Sequence, residues 1–386
     1  MTEIDGASLE LLRAQREVKI HVDSGYKISV SNETEDLAWD TFLAEMPTGH
    51  YRQTSLWAQV KACLGWRVMR VVVTREEKIV AGAQILIRPL SLVGAIGYIP
   101  NGPIVAQGPL FARAEPKLTE LVLHELCQLA KRYRIQYLAI QPPTHGEILT
   151  LRLPEAGFAT TAGEVEPTAN VRIDLRQSLD DILAAMAPAT CANIRLGLAK
   201  GFLFREGTIA DLPTYYRLRQ VIAPRQAHNF FPEEHFFAMW RALHAHHYVK
   251  LFLVEAEGEV ISAQCAVTFG NTMLSQASVW SGAYGEHCPN ELLQWSVIEW
   301  AKSHNFCYYN LEDRAQDAAQ LALHDQPRSD ALKQSGLSFI RGFGGEVIPV
   351  SSVYAYIYNP LLKWAYATFF SKITNLSPPQ ALLHCI

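Results

Sequence analysis

A chain of 386 residues exceeds the ~250–300 that one hydrophobic core ordinarily supports, so two compact domains are expected. With 49% hydrophobic and 19% charged residues it is a globular α/β candidate, which excludes a disordered or fibrous chain. A net charge of -4 excludes a global positive field for nucleic acid, so any such contact must use a local patch.

The chain opens MTEIDGASLELLRAQREVKI, without a charged n-region followed by an apolar h-region, and a cytoplasmic protein is the expectation. SLWAQVKACLGW reads as a Trp-bearing helix. VVVTREEKIVAGAQILI, from Val71, is a hairpin pattern of two β-rich runs around a charged turn. LVLHELCQLAKRYRIQYLAIQ places apolar residues at 122, 126, 129 and 130, a helical spacing, and then a buried strand. The periodicity lapses at GEVEPTAN, Gly163 to Asn170, which marks a join.

SLDDILAAMAPATCANIRLGLAKG follows. Ser178 is the expected N-cap, Pro188 splits the segment into two helices and Gly201 stops the second. Arg195 and Lys200 lie toward its C-terminus, either as ordinary dipole partners or as an anion-facing site. The pattern of the first half then returns. EEHFFAMWRAL is a second Trp-bearing helix, FLVEAEGEVISAQCAVTF a second hairpin, and LLQWSVIEWAKSHNFCYYNLE a second helix and strand. Lys78-Ile79-Val80 matches Glu259-Val260-Ile261, and Ala130-Lys131 matches Ala301-Lys302, so the chain reads as a duplication. The expected domains are 1–165, 166–350 and a C-terminal strand and amphipathic helix, 351–386, that packs back on the first domain.

GLSFIRGFGGE, Gly336 to Glu346, is either a tight turn between two strands or a loop that grips an anion. SVYAYIYNPLLKWAYATFF is broken by Asn359-Pro360 and carries Lys363, so it does not span a bilayer; the alternative to a docked helix is peripheral membrane contact through Trp364, Tyr366, Phe369 and Phe370.

Several chemistries lack their sequence support. There is no G-x-x-x-x-G-K-[ST], and GFGG lacks the G-x-G-x-x-G spacing. No G-x-S-x-G elbow occurs. HAHH, His244 to His247, has no acid or Cys at ligand spacing, and no metal is expected. The seven cysteines are scattered, never form C-x-x-C and read as reduced thiols.

Over roughly Gly49 to Val350 the sequence resembles the Fem family of aminoacyl-tRNA-dependent peptidyltransferases. GHYRQTSLWAQVKACLGW and GYIPNGPIV carry the resemblance in the first half, and CANIRLGLAKG, PNELLQWSVIEWAK and GLSFIRGFGGE in the second. The resemblance implies two tandem acetyltransferase-like (GNAT-like) domains. Between Arg172 and Val350 no sustained charged heptads stand for a coiled-coil arm, so the armless form is expected.

It also implies aminolysis of an ester: an amino acid passes from aminoacyl-tRNA to an amine of a nucleotide- or lipid-linked peptidoglycan precursor, with no metal or other cofactor. A CoA-dependent N-acyltransferase and a catalytically lapsed binding protein are the alternatives. Aminolysis requires two anionic partners to be held, a proton to be removed and an oxyanion to be stabilised.

The resemblance gives Lys61 as a phosphate contact, the alternative being a solvated helix lysine, with Trp57 one turn earlier on that face as core or substrate contact; Asn193, Arg195 and Arg225 match family positions and, with Lys200, form a candidate basic strip, the alternative being surface salt bridges. Asp313, just beyond the last strand, is a candidate general base or a loop cap with Arg314, Phe339 a candidate substrate contact and Arg341 a candidate catalytic cation. Where the family has a lysine after that phenylalanine this chain has Ile340, and the next cation is Arg341. Read as a strand, 339–341 would point Arg341 away from the lysine's side. Phe231, His235 and Cys191 stand where the family has polar or basic groups.

Overall fold

The computed structural model describes residues 21–23, 25–90, 94–107, 114–160, 169–226, 233–312, 336–349 and 351–365. They divide into two compact units, the first ending near residue 160 and resuming at Ser351, the second between them.

In the first unit, β1 (His21–Asp23) and β2 (Tyr26–Ser31) lead into α1 (Leu37–Glu45) and α2 (Ser55–Ala62). The hairpin of β3 (Arg67–Arg75) and β4 (Lys78–Leu90) follows, then β5 (Gly94–Ile99), β6 (Ile104–Val105), α3 (Glu115–Arg132) and β7 (Ile135–Ile140). The series ends with α4 (Glu147–Glu155) and β8 (Ala159–Thr160). In α3, Leu118, Val122, Leu126 and Leu129 recur at helical spacing and are all buried, forming the stripe that docks on the sheet. β7, IQYLAI, is almost wholly buried, as a strand enclosed on both faces must be.

The second unit opens with β9 (Ala169–Asp174), α5 (Leu179–Ala184), α6 (Pro188–Lys200) and β10 (Leu203–Glu206). Then come α7 (Leu212–Gln226), α8 (Glu233–His244), the hairpin of β11 (Val249–Ala256) and β12 (Glu259–Phe269), and β13 (Thr272–Trp280). α9 (Pro289–Ser303), β14 (Tyr308–Glu312), α10 (Gly336–Arg341) and β15 (Glu346–Pro349) complete it. Last in the chain are β16 (Tyr354–Ile357) and α11 (Pro360–Ala365). Ser178 caps α5 by accepting from the Asp181 N–H, Pro188 opens α6, and Gly201 ends it in the left-handed region at φ 77°.

The sheets run β1-β2-β3-β4-β5-β7-β16-β8, with β6 beside β4, and β10-β11-β12-β13-β14-β9-β15. Each has one parallel pair, β5 with β7 and β13 with β14, joined by a crossover helix. The duplication extends to backbone detail. Register slips between Val73 and Thr74 and, 181 positions later, between Val254 and Glu255. Both hairpin turns are left-handed at two residues, Glu76-Glu77 and Glu257-Gly258, as a type I′ turn requires.

The sheet order also shows a reciprocal exchange. β9 follows β8 in the chain yet lies between β14 and β15, and β16 follows β15 yet lies between β7 and β8.

The glycine-rich segment is not a turn between two strands. Residues 336–341 form α10, and the glycines connect this helix to β15. Gly344 (φ 71°) and Gly345 (φ 87°) are left-handed, and a Cβ on either would lie 2.5 Å from a carbonyl oxygen, of Ala185 and Arg172 respectively.

Candidate functional site

In the first unit the site is built around the start of α2. Thr54 caps the helix by accepting from the Trp57 N–H, and Ser55 is held by Asp40 through its amide (2.7 Å) and hydroxyl (2.6 Å). Gln53 is fully buried and donates to the carbonyls of Pro100 (2.6 Å) and Gln84 (3.2 Å), while its Oε1 accepts from the Gln84 N–H. Gln84 in turn accepts from buried Arg70, which is paired with Asp36 at the head of α1. The Q-T-S portion of the motif is thus scaffolding that fixes where Lys61 emerges.

Lys61 is not a solvated helix lysine. It is 2% exposed, and its ammonium sits 4.9 Å from the centre of the Trp57 ring, one helical turn away. Burial first, and the charge of Arg52 second, bring its pKa down to about 7. Trp57 is half-buried and meets Tyr51 edge-on at 5.3 Å.

Arg52 donates to the Tyr51 hydroxyl (3.1 Å), and its charge is felt at His50, Lys61 and Tyr98. His50 accepts the Arg52 N–H at Nδ1, and burial together with Arg52 holds its pKa well below the ordinary value, so the ring is neutral. Burial pushes the Tyr98 phenol up, and it donates to Gln141 Oε1 at 3.0 Å. Tyr98 lies on β5 and Gln141 just past β7, at the carboxyl ends of the parallel pair, where open α/β sheets hold ligands. The cluster therefore combines a half-neutral amine, a guanidinium, a neutral imidazole and a protonated phenol. Such a set can hold an anion and exchange protons near pH 7.

In the second unit a chain of polar side chains lies between the sheet and α9. Gln264 Nε2 donates to the Tyr309 hydroxyl (2.6 Å), which donates to Gln294 Oε1 (2.5 Å), and Gln294 Nε2 donates to Ser278 Oγ (2.9 Å). Burial pushes the Tyr309 phenol far up, so the hydroxyl keeps its proton.

Residues 34–152 match the FemAB family model, and residues 193–316 match an acetyltransferase (GNAT) domain model. A lipid II:glycine glycyltransferase of Staphylococcus saprophyticus is 23% identical over 233 residues, 58% of this chain and 55% of that one. The protein of the same name from Staphylococcus aureus (strain MRSA252) is 21% identical over 242 residues, 60% of this chain and 55% of its own. A crystal structure of FemX superposes with a TM-score of 0.71 at 16% identity, over 86% of this chain and 98% of that one. Residues 34–152 thus form a Fem-family segment. The chain spans just over half the length of the curated relatives it matches. Its fold is two tandem GNAT-like domains of mixed α/β structure, as the resemblance implied.

The remaining positions singled out from the Fem resemblance are dispersed. Asn193 and Arg195 are two residues apart on α6, about 200° around the helix, so they do not form one strip. Asn193 is half-buried and donates to Glu291 Oε1 on α9 (2.9 Å), while Arg195 is exposed. Lys200, exposed at the end of α6, lies 5.6 Å from the Tyr284 ring. Arg225 is in α7 and His235 in α8, but their side chains, like Asp313 and Phe231, lie outside the described residues, as do Tyr366, Phe369 and Phe370. Trp364 is 60% exposed, and among the described residues no helix is long and apolar enough to cross a membrane. Cys191 is half-buried, and its thiol donates to the Leu183 carbonyl.

Because 336–341 is helical, the opposite-faces argument for Phe339, Ile340 and Arg341 fails. Successive residues there are about 100° apart: Ile340 is 7% exposed in the second core, Phe339 packs edge-on against Phe343, and Arg341 faces solvent. No helix of the second unit exceeds 15 residues among those described, and no metal-ligand cluster occurs among them.

His50, Arg52, Tyr98 and Gln141 were missed, although HYR stands inside a motif already quoted. Ser278, Gln264, Gln294 and Tyr309 had no sequence signal beyond polarity within strands and a helix that otherwise read as core.

Proposed function

We propose that this protein is an aminoacyltransferase that moves an amino acid from aminoacyl-tRNA to an amine of a peptidoglycan precursor. The observation that carries the reading is the Lys61–Arg52 cluster of the first unit: two cations beside a neutral imidazole and a phenol, set at the open end of a parallel strand pair. A buried ammonium costs stability, and a nucleotide- or lipid-linked diphosphate on the acceptor would recover that cost. The activity by which the staphylococcal relatives are named, glycine transfer to lipid II, supports the same acceptor class.

The fold alone would also suit CoA-dependent acyl transfer, where a helix N-terminus after the open strand would bind pyrophosphate. Here both candidate helices oppose an anion. α3 begins with Glu115 and Pro116, and α9 begins with Pro289 and carries Glu291 in its first turn. Each acid repels a phosphate and each proline removes an N–H donor.

The test is incubation of the pure protein with a mixture of charged tRNAs and lipid-linked or nucleotide-linked precursors. Transfer of a labelled amino acid to a precursor amine is expected. Absence of transfer to every acceptor, with a cooperative thermal melt showing the fold intact, overturns the reading and favours a binding protein.

A further inference from the structure

The polar chain of the second unit has a direction, and the direction leaves two groups unspent. Tyr309 has a single hydroxyl proton, which goes to Gln294 Oε1, and its oxygen receives the Gln264 Nε2 proton. That orients the Gln294 amide, whose Nε2 reaches Ser278. Ser278 Oγ is therefore an acceptor in the chain, and its own proton is turned away from it. At the inner end, Gln264 is 0% exposed and its Oε1 has no hydrogen-bond partner among the described residues. An acceptor buried in that way costs free energy unless something donates to it.

Gln264 on β12 and Ser278 on β13 are direct cross-strand partners, so their side chains share a face about 5 Å apart. They stand where the sheet opens. The last parallel pair of β13 and β14 is Ser275 with Leu311, and Ser278 lies three residues farther toward the carboxyl end. One hydroxyl donor and one amide acceptor, side by side, match a ligand with an acceptor and a donor on adjacent carbons. An α-amino acyl group is such a ligand: its carbonyl oxygen and its ammonium sit on adjacent carbons.

We propose that Ser278 and Gln264 form a recognition site for the α-amino acyl group of the donor, with the Ser278 hydroxyl donating to the carbonyl oxygen and Gln264 Oε1 accepting from the ammonium. Gln294 and Tyr309 are positioning residues, since they act by orienting those two. The inference rests on the aminoacyl-transfer reading and adds to it the means by which an amino acid is told from a simple acyl group. An acyl donor without the ammonium would leave Gln264 Oε1 unsatisfied, and a site built around a polar group discriminates strongly against ligands that lack its partner.

The test uses stable amide-linked aminoacyl-adenosines covering the twenty side chains, each beside its des-amino counterpart, titrated calorimetrically into the full chain. At least one aminoacyl probe is expected to bind about tenfold or more tightly than its counterpart, a charged hydrogen bond's worth. Gln264→Leu should bring that ratio to about one, and Ser278→Ala should weaken both members of a pair equally, by about tenfold. Thermal melts accompany each titration. Should Gln264→Leu not fold, the half-buried Ser278→Ala decides alone, and unchanged affinity there overturns the proposal. Equal binding of both members by the wild type, or no binding of either, also overturns it, as does an unchanged ratio in a folded Gln264→Leu. Transfer from charged tRNA without probe discrimination sinks this site but not the proposed function; absence of both sinks the two together.

Discussion

Replacing Lys61 by methionine should stabilise the protein at low pH and lose the advantage as pH rises. The fall of its pKa from 10.5 to about 7 means that the folded state holds the charged form on the order of 5 kcal/mol less well than the unfolded chain does. The Trp57 ring under the ammonium returns about 1 kcal/mol of this, leaving a penalty of about 4 kcal/mol. The sign follows from proton counting. Between pH 7 and 10.5 the unfolded lysine is protonated and the folded one is not, so unfolding takes up a proton and wild-type stability rises with pH.

Below pH 7 the penalty is complete, and above 10.5 it is absent. Methionine fills similar space without the charge and is tolerated in a buried setting. Lys61→Met is therefore expected to exceed the wild type by about 4 kcal/mol at pH 6 and to converge with it near pH 10. Urea titrations of both proteins from pH 6 to 10 measure the difference directly. A difference that does not change with pH, or a methionine variant less stable at pH 6, refutes the assignment of Lys61 as a desolvated amine.

Sulfate, whose own charge does not change in this range, should bind with constant affinity below pH 7 and progressively more weakly above it, because the anion selects charged Lys61; calorimetry in two buffers of different ionisation enthalpy should report proton uptake at pH 7–8. Ile340→Lys should not speed transfer but should destabilise the fold by ~3 kcal/mol or more, since that side chain lies in the second core; a faster enzyme with an unchanged melt would contradict this. Glu77→Gly should stabilise by about 0.5–1 kcal/mol in denaturant titrations, because Glu77 is left-handed (φ 62°) where the repeat has Gly258. Gly345→Ala should cost about 2 kcal/mol or more, seen as a lowered thermal midpoint, through its φ and the nearby Arg172 carbonyl.

Repeat order, hairpins, crossover helices and the capping of α5 and α6 were legible because each depends on local periodicity or a single punctuating residue. The helix at 336–341 was not, since six residues ending in a run of glycines carry too little pattern to separate helix from turn. The place of β16 between β7 and β8 was not legible for a different reason: a strand's position within a sheet depends on tertiary pairing, not on its own alternation. In the site, Lys61 and Trp57 were found through a motif, but the burial that gives Lys61 its chemistry comes from surrounding elements distant in sequence. Phe339, Arg341 and the α6 residues were found through the same resemblance, and the structure places them on separate helix faces.

The two units differ in which face of one equivalent strand carries their polar chemistry, and a single-residue offset accounts for it. With the repeat at 181 positions, Gln84 on β4 corresponds to Cys265 on β12, and Gln264 to Ala83. Neighbouring residues of a strand face opposite ways. Gln84 accordingly turns toward α1 and α2, where it ties Arg70 and Thr54 together and holds the helix that presents Lys61. Gln264 turns the other way, beneath α9, and begins the neutral chain to Ser278. One scaffold can thus offer a cationic surface in its first copy and an uncharged donor-acceptor pair in its second. The proposed diphosphate-bearing acceptor and α-amino acyl donor would call for those two environments, since a cationic cluster repels an α-ammonium.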